Sequence, residues 1–492
     1  MLFNSIDFAV FLPIVFILYW FFFNKHLKLQ NIFLLVASYF FYAWWNWHFL
    51  GLIIFSSIVD FFIGIYLNNT HAENKRKALL MLSIFINLGF LMYFKYYNFF
   101  IDSFISAFTF FGGQLSANRL NVILPVGISF YTFQTLSYSI DVYRRKLEPT
   151  SDFISFFAYI SFFPQLVAGP IERAKNLLPQ FYVSRKFDPK LAGLGMKQIL
   201  WGLFKKVVIA DNCAPLVKQI FDDYQELSTL TLIFGSILFA FQIYCDFSGY
   251  SDIAIGVARL LGFNLMRNFR YPYFSRDIAE FWRRWHISLS TWFRDYVYIP
   301  LGGSRGSLAM SIRNVLIIFV VSGFWHGANW TFIIWGALNA FYFLPALLTN
   351  KNRKNIDEVG EGRILPSFHE FISMIKTFML TCFAWIFFRA TNVSEAFDYI
   401  FHLFVNFDVP LSNDQVISLF INDFWTRIIL VYIGYLIFIE WRNRKEEFGL
   451  NFSGINTSLF SKFYRWSTYF ILVIIIVIEF PNAAIDFIYF QF

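Results

Sequence analysis

One histidine, a residue type that can transfer protons, lies in the middle of a long apolar stretch. His326 falls inside an apolar stretch, residues 315–339, that has Arg313 before it and Lys351 after it. Basic residues on both sides predict a hairpin that enters and leaves a membrane on the cytoplasmic side. An ionisable group inside a membrane is costly and marks a functional site by default, and an imidazole can accept a proton at neutral pH. We therefore predict a general base at His326; the alternative is an imidazole hydrogen-bonded between helices.

The composition indicates the class of protein that must position this histidine. Of 492 residues, 58% are hydrophobic and 15% are charged, and apolar stretches recur from end to end. This pattern predicts an all-α polytopic membrane protein. The net charge of +8 comes from Lys and Arg clusters between the apolar stretches, so we interpret it as topological and expect no nucleic-acid partner. The three cysteines lack CxxC spacing, and we predict no metal site.

The basic clusters also predict the topology. The apolar run 7–23 has no cleavage site and is followed by Lys25 and Lys28, which indicates a retained first span with an extracytoplasmic N-terminus. Alternation then continues through five spans, with residues 75–77 and 144–146 inside. We count about eleven full spans and one or two re-entrant pieces in a single domain, residues 1–492, of the inner membrane. Residues 351–362 are predicted to form a mobile cytoplasmic loop.

The alternation breaks at residues 153–167, which have basic residues on both sides. Pro164 and Pro170 interrupt this segment, as expected of a broken or re-entrant helix surrounded by protein or a watery cavity. The adjacent Glu172 and Arg173 are interpreted as an ion pair that stabilises the turn.

Two sets of polar residues are further candidates. The arginine-rich and aromatic segment 267–313 suits a membrane interface and offers a place for an anionic ligand. Asp246 and Asp252 follow an apolar run, but the spacing and Gly249 do not establish a common helical face. They are interpreted either as tunnel-lining groups or arginine partners, or as carboxylates at a helix end or in a loop.

Five motifs carry a resemblance to a known family. In chain order they are PVGISFYTFQ at 125–134, FPQLVAGPIER at 163–173, YCDFSGYSD at 244–252, FWRRWHISLS at 281–290 and SGFWHG at 322–327. Together they resemble the membrane-bound O-acyltransferase family, and within it the alginate-type O-acetyltransferases, through nearly the whole chain. The resemblance implies a ring of transmembrane helices, with re-entrant helices and a central tunnel that leads to a catalytic histidine.

The resemblance also implies roles for individual residues. His326 matches the catalytic position and His286 the second family position. Acyl transfer needs a base for the alcohol and a donor for the oxyanion, so His286, Asn329 or a backbone amide is expected as the donor. For the cytoplasmic acyl donor, expected to be acetyl-CoA as a substrate with no permanently bound cofactor, we predict the binding residues Arg283, Arg284, Trp285 and Arg294.

The expected activity is O-acetylation of an extracytoplasmic polysaccharide such as alginate. The expected partners are membrane lipid, polysaccharide synthesis or export machinery and an extracytoplasmic acetyltransferase, which would dock on residues 44–48 and on the C-terminal aromatic residues, 487–492. The alternative for these aromatic residues is burial within the chain's own ring of helices. The alternatives within the family are peptidoglycan O-acetylation and export of D-alanine to teichoic acid. A transporter is the alternative outside it, although no internal repeat is present.

Overall fold

The computed structural model describes the chain except residues 114, 116, 168, 411–413, 415, 417–422, 453–458, 482–486 and 489–492. The described residues form helices and connecting loops with no strand, which confirms the all-α prediction. Seven helical segments within them are long and apolar enough to span a membrane, and a shorter apolar helix covers Ile6–Phe22. The chain is therefore a multi-pass membrane protein, and the count of eleven spans stays a prediction.

The chain divides into two compact units. Unit 1 comprises Met1–Gly193 and Val257–Met266, and unit 2 comprises Leu194–Gly256 and Arg267–Phe492. Each unit has its own buried polar and apolar residues. The single domain inferred from the sequence stays a prediction.

Unit 1 contains the first nine helices. They are α1 Ile6–Ile17, α2 Leu27–Asn46, α3 Leu50–Asn69, α4 Glu73–Leu91, α5 Tyr97–Phe110, α6 Ile128–Tyr143, α7 Phe153–Ser161, α8 Phe163–Leu166 and α9 Ala174–Leu177. A π-helical turn extends α1 over Leu18–Phe22, and another joins α4 to α5. Helix α7 ends at Ser161, the next residue Phe162 has a ψ of 105°, and Pro164 lies in the first turn of α8. The predicted interruption of residues 153–167 is thus confirmed.

A buried carboxylate joins three helices of unit 1. Asp60 on α3 accepts hydrogen bonds from Ser83 and Asn87 on α4 and from Ser139 on α6, the last at 2.6 Å. All four side chains are buried. Because a polar group in an apolar interior is costly without partners, these hydroxyl and amide donors fix how α3, α4 and α6 meet.

Unit 2 contains most of the remaining helical residues. The helices are α10 Pro189–Leu203, α11 Asp211–Asp222, α12 Thr229–Leu260, α13 Ile278–Arg284, α14 Ile287–Phe293, α15 Leu308–His326, α16 Trp330–Leu348, α17 Phe368–Arg389, α18 Val393–Val405, α19 Phe424–Arg442 and α20 Leu459–Ile478. The first residues of α10 and the last turn of α12 belong to unit 1. A π-helical turn, Phe204–Ala210, joins α10 to α11.

The hairpin predicted around His326 is present as α15 and α16. Each helix has 19 residues, about 28 Å at the usual rise, and only Gly327, Ala328 and Asn329 separate them. A Cβ atom at Gly323 would lie 2.2 Å from the Phe332 carbonyl oxygen. Glycine therefore allows the two backbones to approach closely next to the turn.

The C-terminal aromatic residues correct one expectation. Phe487 is fully buried, and its ring lies 4.6 Å from that of Tyr250 and 5.6 Å from that of Phe247. The backbone N–H of Ile488 donates to the Asp246 carboxylate at 2.6 Å. These two residues pack inside unit 2, so their prediction as an exposed docking surface was wrong; residues 489–492 lie outside the described chain.

Candidate active site

His326 is the last residue of α15 and is held by aromatic rings. Its imidazole centroid lies 4.9 Å from that of Trp325, 5.1 Å from that of Trp335 and 5.5 Å from that of Phe388, and all three contacts are edge-on. The side chain is 3% exposed. The hairpin thus carries the histidine at its turn, and helices α16 and α17 surround it with apolar faces.

His286 lies immediately before α14 and is held mainly by one asparagine. Its Nδ1 lies 3.0 Å from Asn268 Oδ1, and the same oxygen accepts from the Ser288 hydroxyl at 2.9 Å. The backbone N–H of Ile287 donates to the Asn268 carbonyl oxygen at 2.8 Å. His286 has a φ of 43°, a left-handed conformation that is unusual for a residue other than glycine. Asn268 therefore fixes both the backbone and the ring of His286.

The same contacts define which ring nitrogen of His286 carries the proton. The backbone N–H of Ser288 points at Asn268 Oδ1, at 3.3 Å, and Asn268 Nδ2 donates to the Ser251 hydroxyl at 3.0 Å. Because a backbone N–H can only donate, the atom facing it is the amide oxygen, and Nδ1 of His286 must supply the proton for its own bond. The lone pair is then on Nε2. Burial lowers the pKa of His286 to about 3, so the ring is neutral at physiological pH.

Trp325 brings the two histidines into one aromatic cluster. Its ring lies 4.9 Å from the His326 ring and 6.1 Å from the His286 ring, measured between centroids. The cluster continues through Trp335 and Trp385, which stack at 5.5 Å, to Trp285 at 5.2 Å from Trp385. Both predicted catalytic side chains are therefore buried in the same part of unit 2.

Asn329 has a different place from the one expected of an oxyanion donor. It is the N-cap of α16, where Oδ1 accepts from the Thr331 backbone N–H at 3.1 Å. Its Nδ2 donates to the Thr391 carbonyl oxygen at 2.7 Å. Both ends of the amide thus stabilise the fold next to the hairpin turn.

The predicted donor-binding residues are mostly engaged with protein groups. Arg284 is buried and donates to Glu280 at 2.8 Å, and Arg283 donates to the carbonyl oxygens of Asn352 and Asn355, both at 2.7 Å. Arg294 pairs with Asp295 at 2.8 Å and remains largely exposed. Trp285 is fully buried in the aromatic cluster rather than at a headgroup surface. These four residues do not converge on one open anion site, and their role in donor binding stays a prediction.

The loop 351–362 contacts several arginines, and its predicted mobility stays a prediction. Besides Arg283, Arg276 lies 3.2 Å from the Asp357 carboxylate, and Arg444 donates to the Val359 carbonyl oxygen at 2.8 Å. Val359 itself is 1% exposed. The arginine-rich segment therefore anchors this loop within unit 2.

Asp246 and Asp252 lie on one uninterrupted helix and pair with lysines. Helix α12 continues without a break through Gly249. Glycine is needed there because α10 lies close: a Cβ atom at Gly249 would be 2.8 Å from the Gly202 carbonyl oxygen. Lys206 Nζ lies 2.7 Å from Asp246 Oδ1, and Lys205 Nζ lies 2.6 Å from Asp252 Oδ2. Both carboxylates thus lie within the helix and pair with lysines, so a position at a helix end or in a loop and pairing with arginine are not what the structure shows, while the alternative of tunnel-lining groups stays a prediction.

A small polar cavity adjoins Asn268 and Ser251, the residues that follow His286 in its hydrogen-bond chain. Its empty volume is about 290 Å³, and its lining includes Ser251, Asn268, Lys205, Asp252, Arg267 and Glu440. The hydrogen-bond chain from His286 through Asn268 to Ser251 therefore ends at a charged surface. This supports a polar lining at Asp252, while a continuous central tunnel stays a prediction.

Sequence reasoning missed the residues that orient His286. Asn268 is 18 positions away in the chain and lies in a loop without helical periodicity. Lys205 and Lys206 were also missed, although two adjacent lysines inside the apolar run 202–209 were a readable signal of buried ion pairs.

A buried pair of histidines at a membrane hairpin defines a candidate acyl-transfer site, and the comparisons with known proteins support that class. The family model for membrane-bound O-acyltransferases matches residues 5–363. The chain therefore belongs to the membrane-bound O-acyltransferase family and is an O-acyltransferase.

Curated relatives within the family cover most of this chain. It is 39% identical over 415 residues to a probable alginate O-acetylase of Azotobacter vinelandii, which covers 84% of this chain and 80% of the relative. A probable alginate O-acetylase of Pseudomonas aeruginosa is 40% identical over 80% of this chain and 73% of its own length. A peptidoglycan O-acetyltransferase of Helicobacter pylori is 34% identical over 80% of this chain and 78% of its own length.

Proposed function

We propose that this protein is an O-acetyltransferase of the inner membrane that takes an acetyl group from cytoplasmic acetyl-CoA for O-acetylation of an extracytoplasmic polysaccharide such as alginate. The observation that carries the proposal is the pair of buried histidines that both contact Trp325. The alginate-acetylating relatives support the acetyl group and the polymer. The basic clusters support a cytoplasmic donor and an extracytoplasmic N-terminus.

In the proposed reaction His326 is the general base. The acceptor hydroxyl oxygen attacks the thioester carbonyl carbon while His326 takes the hydroxyl proton. The C–S bond then breaks, and the proton passes to the departing thiolate, which leaves as the free thiol of CoA. The aromatic rings around His326 exclude water from this step, which protects the thioester from hydrolysis.

We assign His286 a role as hydrogen-bond acceptor rather than as protonated donor. Its Nδ1 proton is directed at Asn268, which leaves the lone pair on Nε2, and burial holds its pKa near 3. A neutral ring with this tautomer cannot donate from Nε2 to an oxyanion. The Nε2 lone pair can instead accept from a hydroxyl or amide of a substrate, while backbone amides stabilise the oxyanion.

The test is acetyl transfer by the purified full-length protein in nanodiscs, with acetyl-CoA as donor, alginate as the hydroxyl acceptor and release of the CoA thiol as readout. His326→Ala is expected to reduce the rate by about 10²–10⁴-fold, the usual contribution of a positioned acid or base. His402→Ala is the matched control, because His402 lies outside the aromatic cluster of the two histidines and its ring nitrogen bonds to the Asp398 carbonyl oxygen of its own helix. Wild-type rates in a monodisperse His326→Ala variant would overturn the assignment.

The side of the membrane is tested with acetyl-CoA, which does not cross a bilayer. In vesicles of known orientation, we expect turnover only when the donor is supplied at the former cytoplasmic face. Turnover that requires donor at the opposite face would contradict this route.

The peptidoglycan-acetylating relative makes peptidoglycan the second candidate acceptor. The two acceptors are distinguished by deleting the gene and measuring the acetate released from exported polysaccharide and from purified peptidoglycan. The proposal expects the loss in the polysaccharide fraction; a loss confined to peptidoglycan would favour the second candidate.

An extracytoplasmic acetyltransferase that completes the transfer is also proposed as partner. The surface that remains for it includes Trp44 and Trp47, which are 53% and 68% exposed. Trp44→Ser with Trp47→Ser is expected to weaken copurification of this partner and polymer acetylation while thiol release from acetyl-CoA persists. Loss of both activities together would indicate a structural role for these residues.

A further inference from the structure

A second candidate ligand site lies in unit 1, away from the histidines. A cavity with an empty volume of about 990 Å³, including its open mouth, borders the end of α1 and its π-helical turn. Its apolar lining includes Phe16, Trp20 and Phe187, and its polar lining includes Asn24, Arg185 and Lys186. The cavity therefore combines aromatic walls with two cationic side chains.

Arg185 is a buried cation whose hydrogen-bond partners are neutral. It is 8% exposed, and its guanidinium donates to Gln30 Oε1 at 3.0 Å, to Asn31 Oδ1 at 2.5 Å and to the Gln180 carbonyl oxygen at 3.1 Å. Among the described residues no carboxylate lies within ion-pair distance of it. Neutral acceptors fix the orientation of a guanidinium but do not cancel its charge, and an uncompensated buried charge is costly.

The geometry of the acceptors is itself fixed. Asn31 Nδ2 donates to the Phe181 carbonyl oxygen at 2.8 Å, and Gln30 Nε2 donates to the Tyr19 carbonyl oxygen at 3.4 Å. Both amide oxygens must therefore face Arg185. The charge is held in place before any ligand arrives, as expected of a preorganised anion site.

The aromatic walls form an apolar surface that opens outward. The Phe187 ring packs edge-on against Trp20 at 5.5 Å and Phe16 at 5.9 Å, and Phe187 remains 48% exposed. Trp20 Nε1 donates to the Leu260 carbonyl oxygen at 2.9 Å, which anchors the indole. Lys25 and Lys28 follow directly in the chain. Tryptophan and basic residues at the end of an apolar helix are typical of the membrane–water interface.

We infer that this cavity binds one anionic phospholipid from the surrounding membrane. The lipid phosphate lies next to Lys186 in the positive field of Arg185, and one acyl chain follows the Phe16, Trp20 and Phe187 rings. Basic pockets between membrane helices are recognised lipid headgroup sites. A soluble phosphate would use only the cationic half of this cavity, and an uncharged lipid only the aromatic half. The inference holds for any acyl acceptor of the enzyme.

The test counts lipids bound to the purified full-length protein by native mass spectrometry. Phosphatidylglycerol and phosphatidylcholine with identical acyl chains are the two probes. We expect the first phosphatidylglycerol to bind at least about fivefold more tightly, since one interfacial cation contributes about 1 kcal/mol. Equal affinity for the two lipids would overturn the inference.

Three variants locate the site. Lys186→Glu is expected to remove the preference for phosphatidylglycerol. Phe187→Ser is expected to weaken the binding of both lipids by roughly fivefold, because apolar contact is lost. Lys175→Glu is the matched control: it makes the same charge change at an exposed lysine that does not line the cavity. An equal effect of Lys175→Glu would indicate non-specific surface charge and contradict the site.

Competition with glycerol phosphate distinguishes the two sources of phosphate. We expect no displacement of the bound lipid at millimolar concentration, because glycerol phosphate has no acyl chain for the aromatic walls. Displacement would assign the cavity to a soluble phosphate compound and overturn the lipid inference.

Discussion

His286 and His326 are buried in the same aromatic cluster, but they are held in different ways. His286 is oriented by hydrogen bonds, with Asn268 fixing its ring, its tautomer and its backbone. Around His326 the rings of Trp325, Trp335 and Phe388 lie at centroid distances of 4.9 to 5.5 Å. Directional contacts define a protonation state, whereas ring packing defines position and excludes water. The fixed polarity of His286 fits its proposed role as hydrogen-bond acceptor, and the aromatic surroundings of His326 fit its proposed role as general base.

Of the two kinds of support, the directional one around His286 is expected to give the larger effect when it is removed. Asn268→Ala is expected to lower the rate of acetyl transfer by roughly 5- to 150-fold, which corresponds to about 1–3 kcal/mol for losing a buried hydrogen-bond partner. His286→Asn is expected to lower the rate by a similar factor; asparagine is chosen because it tolerates the left-handed backbone. Because the two residues act as a unit, the double variant should lose little more than either single variant. Multiplied losses would mean that Asn268 acts independently of His286.

Asn268→Asp separates orientation from protonation. A carboxylate keeps the acceptor for Nδ1 but favours the charged imidazolium, so the pKa of His286 should rise from about 3. We expect the pH–rate profile to lose activity on its acidic side at a higher pH than in the wild type. An unchanged profile with a uniformly lower rate would indicate that Asn268 is only structural.

The depressed pKa of His286 also predicts acid sensitivity of the fold. The unfolded chain binds a proton near pH 6.5 and the folded chain only near pH 3, so stability is complete above pH 6.5 and falls as the pH decreases towards 3. At pH 5 the loss is at most about 2 kcal/mol. We expect the thermal midpoint in detergent to fall less between pH 7.5 and pH 5 in His286→Asn than in the wild type. An equal fall in both proteins would contradict the neutral buried ring.

The smallest expected effect concerns the packing around His326. Phe388→Leu loosens one of its three ring contacts and is expected to lower the rate by less than about fivefold, with about 1–2 kcal/mol of stability lost. Phe387→Leu is the matched control, because Phe387 is buried on the same helix and packs on Phe383 and Phe397 instead. If both variants lose similar stability but only Phe388→Leu changes the rate, the packing of Phe388 against His326 contributes to catalysis. Identical rates in the two variants would contradict it.

Sequence patterns were sufficient for the features that depend on local chain properties. The hairpin at residues 315–339 and the break near Pro164 were predictable because hydropathy and proline act over a few neighbouring residues. The pairing of Arg284 with Glu280 is also local, four residues apart on α13. That pairing could have reduced the number of arginines assigned to donor binding.

The residues that complete the site depend on contacts between distant parts of the chain. Neither the Asn268 clamp on His286 nor the burial of Trp285 has a periodic signal, because both depend on the fold around loops. The lysine partners of Asp246 and Asp252 required knowing that α10 and α12 approach through Gly202 and Gly249. Packing at this distance along the chain is set by tertiary structure and cannot be derived from local propensity.

The bond from Ile488 to Asp246 also sets an order of events during synthesis. The two residues are 242 positions apart. At about 5–20 residues per second, a ribosome needs roughly 10–50 s to add that length. During this interval Lys206 is already available to Asp246, but the second carboxylate oxygen has not yet met its backbone donor. The contact of Phe487 with Phe247, which in turn contacts His286, is therefore among the last in unit 2 to form, and a nascent chain arrested before Phe487 would leave this side of the site uncovered.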